Sequence, residues 1–180
     1  MRLIVPRLAA VSMTLGFPAA TNLFAQAEGW REKPTPACAL LSAAEISQAA
    51  GRTYPEGSNG DNEGEGIAGG SGCTWGGASI GPGNEPPMVG LALIRGKSYT
   101  TQRRAGKPPQ GCKVEPVQGV GDEAFFESCP KGKLKRTDPL YVKAGANDLI
   151  IEMDVEPPAT EVSARQTVVA IAKSAVAKLR

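Results

Sequence analysis

The residues in this sequence best able to do chemistry are four thiols, Cys38, Cys73, Cys112 and Cys129. No two form a Cys-x-x-Cys pair, and their wide spacing argues against a zinc ribbon and against a thioredoxin-type redox centre. An even number of thiols in an exported chain reads as two disulfides, whereas in the cytosol the same set would point to metal or redox chemistry. Three connectivities are open. Pairing neighbours in sequence, Cys38 with Cys73 and Cys112 with Cys129, is preferred because each bridge then clips a segment poor in core residues. The chain-entropy model gives about 3 to 4 kcal/mol for each loop of this size.

Other constellations fall short of a site. The chain has no His, which removes the side chain most used as a general base near neutral pH, and with it His-activated nucleophiles and His-ligated metals. Asp61, Glu63 and Glu65 alternate before Gly66 as in a calcium loop, but Gly72 stands where the bidentate Glu is needed and no second helix follows. Gly96-Lys97-Ser98 resembles the end of a phosphate-binding loop, yet its first glycine would have to be Leu91. Gly70-Ser71-Gly72 lacks the spacing of a nucleophile elbow. Asp122 and Glu123 are adjacent, so in a strand they face opposite ways and do not share a proton. Trp75 is the single residue offered as a ligand contact, a stacking platform; a core aromatic beside a disulfide is the plainer expectation. Lys131, Lys133, Lys135 and Arg136 would meet an anionic glycan or lipid head group, or else form a solvated, charge-defended edge. The reading therefore assigns no catalytic residue, no metal ligand and no cofactor.

The N-terminus supports the disulfide reading. Arg2 and Arg7, an apolar run from Leu8 to Phe17 and the small-x-small Ala25-Gln26-Ala27 have the order of a cleaved secretory signal, assigned to residues 1–27. Pro18, Thr21 and Asn22 interrupt the run short of the ~20 apolar residues that a membrane span needs. No Cys follows at a lipid-attachment position, so no stable membrane anchor is expected in the mature chain, which would be periplasmic or secreted. The segment carries two of the 20 basic residues and none of the 18 acidic ones, so the mature chain is formally neutral. A neutral domain has no general attraction to nucleic acid.

The remaining residues must fold into something that holds these groups. Residues 28–36 read as an extended lead-in and 37–180 as one domain. With 22 Gly and 15 Pro, irregular connections are expected to be long. Ser42 and Glu45 have capping-box spacing, Leu41 and Ile46 sit at staple positions and Gly51 stops the turn, which predicts a helix from Ala43 to Ala50. Cys73-Thr74-Trp75 is a strand-like island, and the alternation from Val89 to Ile94 is a strand. A short helix is expected between Lys97 and Pro109. The turn at Gly119-Val120-Gly121 feeds a strand carrying Phe125 and Phe126. Leu140 to Val142 and Leu149 to Val155 form a hairpin about Gly145 to Asp148, with Leu149, Ile151, Met153 and Val155 inward and Ile150, Glu152 and Asp154 facing the other way, toward solvent at the later end. Thr160 caps a last helix whose stripe is Val162, Val169, Ala172, Val176 and Leu179. This predicts an α+β domain with an antiparallel sheet of about five strands and the N-terminal and C-terminal helices on one face.

The segments Cys38-Ala39-Leu40-Leu41 with the capped Ser42–Ile46 helix, Cys73-Thr74-Trp75 and Gly119-Val120-Gly121-Asp122-Glu123-Ala124, followed by the hairpin and terminal helix, resemble a bacterial exported domain family of unknown function found among actinobacterial lipoproteins. The resemblance implies a bridge between the first and second Cys and a PsbP-like sheet backed by helices; it supplies no catalytic residue. The expected role is a non-enzymatic binding or accessory protein of the bacterial envelope with a protein or glycan partner. Two alternatives are an inhibitor of an envelope-degrading hydrolase and a glycan hydrolase using carboxylates alone, which would need two carboxyl groups about 5 to 9.5 Å apart in a cleft.

Overall fold

The Ser42 side chain accepts a hydrogen bond from the Glu45 amide, and the Glu45 carboxylate accepts from the Ser42 amide at 2.8 Å, which closes the capping box that opens α1 (Ala43–Ala50). At its other end Gly51 adopts φ 68°, the left-handed turn that ends a helix and that a side chain would disfavour. The structure is a computed structural model that describes residues 36–59, 70–77, 86–96, 98–130 and 136–180. The readings made on residues 1–27, most of the lead-in, Asp61, Glu63, Glu65, Lys97, Lys131, Lys133 and Lys135 lie outside the described residues.

The strands are β1 (Gly70–Trp75), β2 (Val89–Arg95), β3 (Lys113–Pro116), β4 (Glu123–Ser128), β5 (Leu140–Ala144) and β6 (Asn147–Met153), with α2 (Tyr99–Ala105) after β2 and α3 (Glu161–Leu179) last. They form a six-stranded sheet in the order β1-β2-β6-β5-β4-β3, with every neighbour antiparallel. The protein is thus α+β, with one strand more than expected. The additional strand is β3, in which Val114 is half-buried and the other three residues are exposed. With so little apolar alternation, and ending in Pro116, it carries no strand signal of its own; an edge position accommodates proline because the outward side of the ladder needs no N–H.

Alternation sorts the side chains onto two faces. Leu91, Leu93, Leu149, Ile151, Leu140 and Val142 join Ile46 of α1 and Val168, Ile171 and Ala175 of α3 in the main core. The first and last helices therefore lie on one face, as expected. The other face is buried too: Ala92, Ile94, Phe125, Tyr141 and Ile150 form a second cluster with Tyr99 of α2 packed against it. Ile150, on the face opposite the first and last helices, is covered by α2. Phe125 and Tyr141 stack there with ring centroids 5.2 Å apart.

The stripe of α3 also differs at its start. Ala164, Val168, Ile171, Ala172, Ala175 and Val176 are buried, whereas Val162 is 67% exposed. At 100° per residue Val162 stands about 240° around from Val168, off the core face.

Lys178 in the last turn of α3 reaches Glu45 at 2.7 Å and ties the two helices on this face. Lys178 first, and then the Ser42 amide, lower the Glu45 pKa from 4.5 to about 2. A depressed carboxylate stabilises the fold above its unfolded value and loses that contribution as pH falls from about 4.5 toward 2. Because the pair is partly solvated, the effect is at most about 1 kcal/mol. In acid titrations followed by circular dichroism, Glu45→Gln is expected to be less stable than the parent at pH 6 and to match it near pH 2; a constant difference across that range would reject the linkage.

Candidate functional site

Both disulfides join the cysteines that are neighbours in sequence. Cys38 bonds Cys73, tying the chain before α1 to β1, and Cys112 bonds Cys129, closing the end of the β3–β4 pair beside Lys113 and Ser128. No described cysteine is free. Formed disulfides of this kind belong to a non-cytoplasmic, oxidising compartment. Among the described residues no helix is long and apolar enough to cross a membrane. Cys112, Cys129 and Glu127 converge as a ligand trio would. Their sulfurs are consumed in the bridge, however, and the Glu127 carboxylate takes two hydrogen bonds from Arg103 at 2.6 and 2.8 Å, so the trio offers no thiolate to a metal.

Trp75 is 1% exposed. It lies in the main core beside the Cys38–Cys73 bridge, and Gly57 is so close that an added Cβ would meet the Cys73 sulfur at 2.6 Å and the indole nitrogen at 2.7 Å. A stacking platform requires an open ring face, so Trp75 is the core aromatic that was the plainer expectation, and the ligand contact offered there as the other possibility is corrected.

Several carboxylates are bound into ion pairs. Asp122 accepts from the Gly145 amide and lies 3.6 Å from Arg180, while Glu123 pairs with Arg104 at 2.7 Å. Beside them is a polar hollow of about 490 Å³ around Gly119 and Gly121. Gly121 has φ 60° and an added Cβ would collide with the Lys143 carbonyl, so only glycine fits. Arg136 binds Glu152 at 2.7 Å and Asp154 at 3.1 Å, so this member of the basic run serves the sheet. Arg165 of α3 stacks over Phe126, pairs with Asp138 at 3.2 Å and with Glu115 at 2.9 Å, and so pins the helix to the sheet. Arg165 holds the Glu115 carboxyl below the usual range, the direction opposite to what a general acid needs. These arrangements position strands and helices.

A second hollow differs in kind. Between the end of α1, the chain after β6 and the first turns of α3 lies a cleft of about 460 Å³. Its walls include Pro87, Met153, Pro157 and Ala164, and its polar groups include Arg52, Tyr54 and Glu156. The Tyr54 amide donates to the Ser47 hydroxyl at 2.8 Å, which fixes this residue just beyond the Gly51 cap. Its ring is 4% exposed and its hydroxyl is buried with no hydrogen-bond partner. Burial raises its pKa to about 12, so it remains a neutral phenol. Sequence reasoning passed over Arg52-Thr53-Tyr54, since one Tyr after a helix cap carries no motif. Comparison of the chain with protein-family models, with curated proteins and with solved structures finds no match.

Proposed function

We propose that this protein is an exported, non-enzymatic binding or accessory protein of the bacterial envelope, acting in the periplasm or after secretion. The observation that carries the reading is the cleft beside α1 and α3, an open hollow of about 460 Å³ with apolar walls. The two disulfides support export, and so does the signal-like order of residues 1–27. The resemblance to the exported actinobacterial lipoprotein domain family belongs to the same reading. A protein or glycan of the envelope is the expected partner.

Expressing the full chain, and a chain lacking residues 1–27, in a bacterial host tests this directly. The full chain is expected in the periplasm or medium, starting at Glu28 and carrying two disulfides by mass, while the shortened chain stays reduced inside the cell. An uncleaved full chain retained in the cytoplasm would overturn the reading. Turnover of a peptidoglycan digest by the purified protein would overturn its non-enzymatic part.

A further inference from the structure

We infer that the Cys112–Cys129 bridge is a redox switch at the edge of the sheet, opened by an external dithiol while the Cys38–Cys73 bridge stays closed. This goes beyond the binding role above and makes no use of the cleft.

The two bridges sit in unlike surroundings. Cys73 is 0% exposed and lies in the main core with Trp75, and Cys38 packs against the same core. Exchange at that bridge must bring a thiolate into apolar surroundings or release one there, and burial disfavours the charged sulfur. Cys112 and Cys129 are both half-buried and belong to neither apolar cluster. They flank Lys113 and Ser128, the last pair of the β3–β4 ladder, at the edge of the sheet. Their neighbours Gly111, Lys113 and Pro130 are exposed. A thiolate attacking or leaving there keeps contact with water.

Glu127 is an independent second feature. Its carboxylate is held by Arg103 at 2.6 and 2.8 Å, and its Oε1 lies 3.8 Å from the Cys129 sulfur. Once the bridge opens, the Cys129 thiol has an acceptor in place. A carboxylate there favours the neutral thiol, so Cys112 ionises first. In the exchange, one thiolate of the external dithiol attacks a bridge sulfur, the S–S bond breaks and a mixed disulfide forms. The second thiol of the reagent then displaces the protein sulfur. The reagent departs as a disulfide, and Cys112 and Cys129 gain two electrons and two protons as thiols. Opening removes the covalent tie on β3, an edge strand of four residues, three of them exposed. Glu115 of this strand pairs with Arg165 at 2.9 Å, so its release also loosens a contact to α3.

The test equilibrates the mature, oxidised protein at pH 7 in graded ratios of reduced to oxidised dithiothreitol, alkylates the free thiols and maps them by mass. Cys112 and Cys129 are expected to be half-reduced at a ratio roughly tenfold lower than Cys38 and Cys73. In the opened protein, iodoacetamide should label Cys112 several-fold faster than Cys129, and the pH dependence of the two rates should place the Cys129 thiol above Cys112. Glu127→Gln should remove that difference; the pH profile of the parent tests the same point without a variant. Hydrogen exchange should speed up in β3 on opening and stay slow in α1 and β1. The inference is overturned if Cys38–Cys73 opens first or together with Cys112–Cys129, if Cys129 is labelled as fast as Cys112, or if β3 keeps its protection after opening.

Discussion

Replacing Cys38 and Cys73 together by alanine is expected to lower the unfolding free energy by about 3 to 4 kcal/mol. The bridge spans 35 residues, so its loss frees a long loop in the unfolded chain. It also loosens a packed arrangement, because Trp75 and Gly57 both rest against the bridge. Urea unfolding of the double variant, monitored at Trp75 in a Trp30→Phe background, measures the effect. The corresponding Cys112/Cys129 variant is expected to lose less, since that bridge spans 17 residues and joins strands already paired through β3 and β4. Equal losses, or a larger loss at Cys112 and Cys129, would show that loop length is not what sets the stabilisation.

Asp148→Ala is expected to cost about 3 to 5 kcal/mol, as the breaking of a buried charge pair does. Asp148 is 0% exposed. Its two carboxylate oxygens accept from the Tyr99 and Thr100 amides, each at 3.0 Å, and Lys143 lies 3.7 Å away. Ser98 stands at the cap position of α2 but its side chain makes no capping bond. A residue of β6, distant in sequence, supplies the acceptor that the helix start requires. Without it α2 loses its anchor and the cluster of Tyr99, Tyr141 and Phe125 opens to water. Asp148→Asn keeps one acceptor oxygen and should lose roughly half as much. Denaturant melts give the magnitudes, and hydrogen exchange in β4, β5 and β6 locates them. A change below about 1 kcal/mol for Asp148→Ala would mean that α2 is held by its other contacts, chiefly Arg103 to Glu127 and Arg104 to Glu123.

The same residues show how much was legible beforehand. The first helix was readable to the residue because its capping box and Gly51 are local signals that tertiary packing has no reason to override. The β5–β6 hairpin was readable for a similar reason, as it joins segments close in sequence, and the cysteines pair with their neighbours in sequence order. What escaped depends on partners far along the chain. Asp148 reads as turn chemistry until α2 is seen to sit on it. The face of Ile150 reads as uncovered until a short polar helix packs on it, and β3 reads as a connection until β4 pairs with it. Trp75 and Tyr54 exchanged roles for the same reason. The conspicuous aromatic is sealed by Gly57, while the inconspicuous one lines the cleft.

The strand order has a consequence for how the chain matures. β6, the last of the described strands to be made, is wedged between β2 and β5 and, among the described strands, alone joins the β1–β2 pair to the β3–β4–β5 meander. A polypeptide emerging from the ribosome has no continuous sheet until nearly all of it is synthesised, and such distant pairings form slowly.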